Sequence, residues 1–291
     1  MPELISSASN PLVKQIRALR QKKGREQTGL FLVEGIHHVG EAAEAGWEIE
    51  TLVHAPDLLT SDFGLRLVAD LSRRGVRAAA LTGGLFASVA EKDNPQGLLA
   101  LVRQRTCQLD NLQPANFKFG AAVVSPQDPG NVGTILRTLD AVGGDALFLL
   151  DPLTGAGPQR TGAGGGVDPY HPSSVRASMG TIFWKPVVET SFDEFVKWAK
   201  KHGFRLVGSS AHATMDYCNL QPFDDAQGKP VNLPTVLLLG SEQKGLTAEQ
   251  IAACDVTVSL PMRGRASSLN LAVAAGILLY ALADGFKEEL N

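Results

Sequence analysis

Apolar positions recur along this chain with two periods, and the switches between them mark its elements. In Leu12-Val13-Lys14-Gln15-Ile16-Arg17-Ala18-Leu19-Arg20, the residues Leu12, Val13, Ile16 and Leu19 fall at helical spacing, with cations opposite. Gly29–Gly35 reads as a strand ending at a turn, and 36–45 as a helix. Ile49–His54 alternates like a strand, 62–74 is helical, Val76–Leu81 is a further strand, and Leu98–Arg103 is apolar and extended. Strand and helix alternate, which predicts a small α/β sandwich. Cys107–Lys118 then breaks the pattern with polar residues and Pro114. The expected division is a first domain over 1–112, a linker over 113–118 and a second domain over 119–291.

The second half opens with strand Gly120–Ser125, the turn Pro126–Gly130, and a helix from Asn131 to Gly143 with Val132, Ile135, Leu136 and Leu139 on one face. Strand Ala146–Leu150 precedes a glycine run, Thr154–Gly166. A helical turn, Val175–Gly180, and strand Val187–Val188 follow. Ser191, with Glu194 three residues on, is a capping box that starts a helix to Lys201. After strand Phe204–Ser209, residues 211–234 read as an irregular polar insertion. Strand Thr235–Leu239, helix Thr247–Ala253 and strand Asp255–Ser259 complete five or six strands alternating with helices. That is the pattern of a mostly parallel, doubly wound sheet. The last stretch runs through a Pro/Gly loop to Ser267, Ser268 and Asn270, then stays apolar to Leu282. A helix apolar on nearly all sides is expected to be buried.

Composition narrows the picture only slightly. The chain has 291 residues, enough for two domains, with 44% hydrophobic and 20% charged residues, as in ordinary globular proteins. A net charge of −3 gives no global sign of nucleic-acid or membrane binding. The cations Lys14, Arg17, Arg20, Lys22, Lys23 and Arg25 nevertheless concentrate near the start, either as a solvated helix face or as a phosphate-contacting arm. Cys107, Cys218 and Cys254 are scattered, with neither a disulfide framework nor metal-ligand spacing. His37 and His38 are adjacent and read as structural or solvent-facing. No signal-peptide pattern and no run of membrane-spanning length is present, so a cytoplasmic protein without membrane attachment is expected. The glycine run invites a dinucleotide-binding reading, and with it a nucleotide-dependent oxidoreductase. Its spacing is wrong, and Pro169 and Pro172 follow where that motif needs a helix.

Three loops follow strands of the second half, at 126–131, 240–245 and 260–270. Open α/β sheets bind ligands outside the carboxyl ends of their strands. Gly240 and Gly245 free the backbone to face a small molecule, and Glu242 is the lone acid between them. Leu260 and Met262 offer backbone, Ser268 and Asn270 side chains. Arg137, less than two turns into a mostly apolar helix, is expected to need an acceptor, either Glu242 or a substrate phosphate. These residues argue a polar ligand site without metal, nucleophilic triad or Walker loop. They do not name a reaction.

At these three loops the chain resembles the SpoU/TrmH family of RNA ribose 2′-O-methyltransferases, in the SPOUT superfamily. The motifs are Asn131-Val132-Gly133-Thr134-Ile135-Leu136-Arg137-Thr138, Leu239-Gly240-Ser241-Glu242-Gln243-Lys244-Gly245-Leu246, and Leu260-Pro261-Met262 with Ser268-Leu269-Asn270. They occur in the family's order, and the resemblance covers roughly 118–285, with Pro172–Gly180 also similar. Gln243 departs from the smaller or acidic residue many members carry. The first half is similar, at Ser6–Lys14 and Phe31–Gly35, to the family's RNA-binding extension, a fold like ribosomal protein L30e.

The resemblance implies S-adenosylmethionine bound in a C-terminal trefoil knot, an obligate homodimer, and an RNA substrate. The extension favours large-subunit (23S) rRNA. Alternatives are tRNA, or a non-catalytic RNA-binding module of the same fold. It implies that Leu239, Gly240, Glu242, Gly245, Leu260, Met262, Ser268 and Leu269 surround the cofactor, and that Asn131, Arg137, Glu242, Ser268 and Asn270 serve the reaction. The counterpart of Arg137 has a catalytic role in the family. A guanidinium stays protonated, so its expected part is to grip a phosphate and stabilise a developing alkoxide. Lys14, Arg17, Lys22, Lys23, Arg25, Arg137 and Arg176 are the expected RNA contacts.

Overall fold

The computed structural model describes residues 4–151, 166–220, 223–224, 230–231 and 233–284. The glycine run lies almost wholly outside them. In chain order the elements are β1 Leu4–Ile5, α1 Pro11–Leu19, α2 Lys22–Thr28, β2 Leu30–Glu34, α3 Ile36–Glu44, β3 Ile49–His54, α4 Asp62–Arg73, β4 Arg77–Leu81, α5 Gly83–Val89 and β5 Leu98–Arg103. Then come β6 Phe119–Val124, α6 Pro129–Ala141, β7 Leu147–Asp151, α7 Pro172–Ala177, β8 Val187–Ser191, α8 Phe192–Lys201, β9 Arg205–Ser209 and β10 Met215–Asp216. The chain ends with β11 Phe223–Asp224, β12 Pro230–Val231, β13 Thr235–Leu239, α9 Ala248–Ala252, β14 Val256–Ser259 and α10 Leu271–Asp284.

Two compact units result: Met1–Arg105 with Asp168–Trp184, and Thr106–Val167 with Lys185–Asn291. The first holds a five-stranded mixed sheet in the order β1-β4-β3-β5-β2. The four apolar residues of α1 named above are all buried, against Leu30, Leu32, Leu99, Leu101 and Phe86. Segment Asp168–Trp184, which a linear division assigns to the second half, supplies this unit with aromatic surface. Tyr170 packs on Phe31 at 4.6 Å and Phe183 meets Trp47 edge-on at 5.3 Å, while Trp47 Nε1 donates to the Phe183 carbonyl at 2.9 Å.

The second unit is built on a seven-stranded sheet, β10-β14-β9-β13-β6-β7-β8, in which every neighbouring pair is parallel. The central strands β6 and β13 are buried at every residue, as expected where both faces of a parallel sheet are covered. Phe148, Phe195, Trp198, Phe204, Val236 and Leu238 fill the α8 side, and α10 lies against α6, β6 and β13. The capping box at Ser191 and Glu194 is present as expected. Residues 211–220, read as irregular, contribute β10, which joins the sheet edge by pairing with β14.

One expectation needs correction. The final helix α10 is not buried all round. Ala272, Ala275, Leu278, Leu279 and Leu282 are buried, but Val273 is 52% and Tyr280 57% exposed, with Ile277 between them. Among the described residues the helix packs on α6, β6, β13 and the turn Tyr217–Asn219, which leaves Val273, Ile277 and Tyr280 partly uncovered.

Candidate active site

Strands β6, β13 and β14 run the same way in one sheet, so the loops that leave their carboxyl ends emerge at one edge. After β6, Ser125 adopts a left-handed φ of 47°, a sparsely populated conformation for a non-glycine residue. Asp128 then caps α6, accepting the Gly130 N–H at 2.7 Å, with Pro129 at the first helical position. The loop after β13 is a tight reversal in which Ser241 bridges to Gly245, the Gly245 N–H donating to the Ser241 carbonyl at 2.9 Å. A Cβ on Gly240 would lie 2.0 Å from the Gly245 carbonyl carbon, and Gly245 has φ +64°. Both positions therefore require glycine, one for close approach and one for backbone conformation.

The third loop ends on Asn270. Its Oδ1 accepts the N–H groups of Ala272 at 2.9 Å and Val273 at 3.3 Å, capping α10. Its Nδ2 donates to Asn131 Oδ1 at 3.1 Å, and Asn131 Nδ2 donates to Glu242 Oε1 at 3.3 Å. The Glu242 carboxylate also takes the Gln127 N–H, at 3.4 and 3.3 Å to its two oxygens. A directed chain of donors, Asn270 to Asn131 to Glu242, thus ties the three loops together. Asn131 is buried at 7% exposure, so its partners leave little freedom in how its amide points.

Three expectations about individual side chains change. Arg137 does not sit inward seeking an acceptor: it is on the exposed face of α6, and its guanidinium makes no bond among the described residues. Glu242 is therefore spent on Asn131 and Gln127 rather than on Arg137. Arg25 is not part of a solvent-facing basic arm. It is 1% exposed, holds Asp168 at 2.6 Å, and donates to the Leu19 and Arg20 carbonyls at 2.8 and 3.0 Å. The cause is the close turn between α1 and α2, where a Cβ on Gly24 would lie 2.1 Å from the Ala18 carbonyl oxygen.

Lys14, Arg17, Lys22 and Lys23 are exposed, Lys22 within 4.0 Å of Glu26. Arg176 is half-exposed and pairs with Glu91 at 2.6 Å. Ser268 is exposed and makes no hydrogen bond among the described residues. Two cations outside the candidate set, Arg263 and Arg265, lie exposed on the third loop. Their place between Met262 and Ser268 was the available signal.

The edge suits a ligand that takes backbone polar contacts and apolar surface. Gly240 and Leu239 stand at its floor, Leu260 is half-buried, and Met262 and Leu269 are 38% and 39% exposed. Amides 262–269 make no hydrogen bond among the described residues, so a row of donors is open. Among the described residues no group of three His, Cys, Asp or Glu side chains is placed to hold a metal ion. No described helix is long and apolar enough to cross a membrane.

A wholly parallel α/β sheet with its ligand edge built from three loops defines the class. Comparison with known proteins makes it specific. Residues 118–280 match the SpoU rRNA Methylase family, and residues 10–100 match the MRM3-like substrate binding domain. The chain is 31% identical over 278 residues to the 23S rRNA (guanosine(2553)-2′-O)-methyltransferase of Bacillus subtilis, covering 96% of this chain and 98% of that protein. It is 32% identical to the 23S rRNA (uridine(2479)-2′-O)-methyltransferase of Streptomyces viridochromogenes, covering 90% and 85%. The crystal structure of an AdoMet-bound rRNA methyltransferase from Sinorhizobium meliloti superposes with a TM-score of 0.81 at 31% identity, over 99% of this chain and 98% of that one. The chain belongs to the SpoU rRNA methylase family, and is an enzyme of the methyltransferase class.

Proposed function

We propose that the protein transfers a methyl group from S-adenosylmethionine to a ribose 2′-hydroxyl of large-subunit rRNA, in the cytoplasm, as a homodimer with a knotted C-terminal chain. The observation that carries this reading is the Asn270–Asn131–Glu242 chain, which joins all three loops of the sheet edge. The 23S rRNA methyltransferases to which the chain is similar over nearly its full length support the reaction and the substrate.

When bound, the cofactor supplies a methyl group already activated on a sulfonium, so the task left to the protein is alignment. Leu239, Gly240, Glu242, Gly245, Leu260, Met262, Ser268 and Leu269 would hold it, chiefly by backbone and apolar contacts. Arg137, exposed and without a partner among the described residues, would grip the phosphate beside the reacting ribose and stabilise negative charge growing on its 2′-oxygen. Asn131, fixed between Asn270 and Glu242, keeps α6 in register with the cofactor loops. Ser268 would position the nucleotide. Lys14, Arg17, Lys22, Lys23 and Arg176, joined by Arg263 and Arg265, are the cations available to RNA.

The dimer reading rests on Val273, Ile277 and Tyr280, an apolar stripe at helical spacing left open on α10. The knot reading is supported by α10 packing beside α6, β6 and β13 rather than beside β14, which it follows. The test is incubation with methyl-labelled S-adenosylmethionine and either 23S rRNA or bulk tRNA, followed by mapping of ribose methylation. Label in 23S rRNA at a 2′-oxygen is expected. Label in tRNA alone would overturn the substrate, and no transfer to either RNA would overturn the reaction.

A further inference from the structure

The ligand edge of the second unit has a further wall that the methyl-transfer reading leaves idle. Residues 211–220 add β10 to the sheet beyond β14, in parallel, with Met215 level with Val258 and Asp216 with Ser259. The two strands run the same way, so both leave the sheet at the ligand edge. Tyr217 therefore emerges beside Leu260, where the third loop begins. Its backbone is fixed there. Asp216 caps the turn that follows by accepting the Cys218 N–H at 3.0 Å, and Ser259 Oγ donates to the Met215 carbonyl at 3.2 Å. The turn Tyr217–Asn219 itself packs on α10.

Tyr217 is half-buried in the turn, with its phenol end in solvent. Contact with the Cys218 thiol holds the phenol above its ordinary range, and the Arg263 guanidinium nearby pulls the other way. The hydroxyl thus stays protonated at neutral pH and can donate. Arg263 and Arg265 are exposed and make no hydrogen bond or ion pair among the described residues. A phenol O–H with a guanidinium near it offers two donors to one anion, a pairing that suits phosphate oxygens. Asp128, Asp216 and Glu242, acids of this edge, each accept N–H groups of the protein. Exposed cations continue along the edge in the order of the strands: Arg263 and Arg265 after β14, Lys244 after β13, and Arg137 on the helix after β6. Four strand spacings separate β10 from β6. The row is therefore about 19 Å long, room for several nucleotides of an unpaired strand.

We propose that Tyr217 and Arg263 together hold one backbone phosphate of the RNA, at the end of this row away from Arg137, and so fix the strand that carries the target ribose. The proposal rests on the reading that the protein acts on RNA, and it gives residues 211–220, which lie outside the three motifs, a part in binding. The carboxylate of S-adenosylmethionine has the same anionic chemistry, and the test separates the two.

The test uses the full chain and transcribed 23S rRNA, with affinity measured by filter binding over a range of salt. Binding of S-adenosylmethionine is measured separately by calorimetry. Tyr217→Phe, which removes only the hydroxyl, and Arg263→Gln should each weaken RNA binding at least threefold and leave cofactor affinity within twofold of wild type. Arg263→Gln should also flatten the slope of log affinity against log salt by about 0.7, the share of one single-strand phosphate. In the Arg263→Gln background, Tyr217→Phe should add less than twofold, because the two side chains share one phosphate. Wild-type RNA affinity in Tyr217→Phe overturns the phenol as a phosphate contact, and fully multiplicative losses overturn the shared phosphate. A loss of cofactor affinity beyond twofold in either variant makes the pair a cofactor contact and overturns the proposal as well. Methyl transfer by the unaltered protein is measured on the same RNA. Transfer with RNA affinity unchanged in both variants sinks the Tyr217–Arg263 site and leaves the enzyme reading standing, whereas coupled losses of RNA affinity without transfer do the reverse.

Discussion

Substitution of Asn270 separates two jobs that its side chain performs at once. Its Oδ1 caps α10 through Ala272 and Val273, and its Nδ2 feeds Asn131. Loss of a cap costs about 1 kcal/mol, and loss of one part-buried hydrogen bond about 1 kcal/mol more. Asn270→Ala should therefore lower stability by roughly 2 kcal/mol. Asn270→Asp keeps an oxygen for the cap but removes the donor to Asn131. The Asn131 amide cannot flip to compensate, because its Nδ2 is already directed at Glu242, which accepts only. Asn270→Asp should thus cost about half as much stability as Asn270→Ala, yet lose as much methyl transfer. Urea denaturation gives the first quantity, and single-turnover methylation of 23S rRNA the second. In a double-mutant cycle, Asn131→Ala should add little to Asn270→Asp in the transfer assay. Equal stability losses in the two Asn270 variants would refute the capping account. Wild-type transfer by Asn270→Asp would refute the directed chain as a catalytic support.

Four further outcomes are expected. Arg137→Ala should abolish turnover while changing stability by less than about 0.5 kcal/mol, because the residue is exposed and its guanidinium makes no hydrogen bond or ion pair among the described residues; circular dichroism melting alongside the transfer assay checks both halves. Arg25→Ala should destabilise the first unit by about 3–5 kcal/mol, since it leaves Asp168 without its buried partner, and calorimetry should show a lowered or lost transition. Val273→Glu with Tyr280→Glu should convert the proposed dimer to a monomer in sedimentation velocity, with an unchanged profile counting against α10 as the interface. Burial pushes the Cys254 thiol up to about 11 from an ordinary value of 9.0. The folded state thus keeps a proton that the unfolded chain releases first, so this group's stabilisation is complete below pH 9 and is lost as pH rises toward 11. Cys254→Ala should flatten that alkaline decline, measured as urea midpoint against pH.

The alternation of apolar strands with amphipathic helices was legible because each period reports one face of one element. Strand β13 read correctly from Thr235–Leu239 alone, since a strand buried on both sides needs no polar residue. What did not read out depends on partners distant in sequence. Nothing near Arg25 announces Asp168, and it took the turn at Gly24 to fold a nominally basic arm inward. Tyr170 and Phe183 gave no local sign of packing on Phe31 and Trp47, which lie far from them in the sequence but in the same unit. Met215 and Asp216 looked like loop because a two-residue edge strand has too few positions to show a period. At the sheet edge the family motifs located Asn131, Glu242 and Asn270. The direction of their hydrogen bonds, and the outward placement of Arg137, are facts of geometry that spacing does not encode.

The placement of β13 sets an order of events for the growing chain. This strand lies between β6 and β9, pairing Thr235 with Phe119 on one side and with Arg205 on the other, yet it is made after both. Until residue 239 has left the ribosome, β6 and β9 each present an open, apolar edge with no neighbour between them. Such edges template association with other chains. The nascent protein therefore carries an interval of vulnerability that closes only when its last fifth arrives, and that same fifth brings Glu242 and Asn270. A chain halted early would be both inactive and adhesive, so for this fold completeness of synthesis and competence of the site are gained in one step.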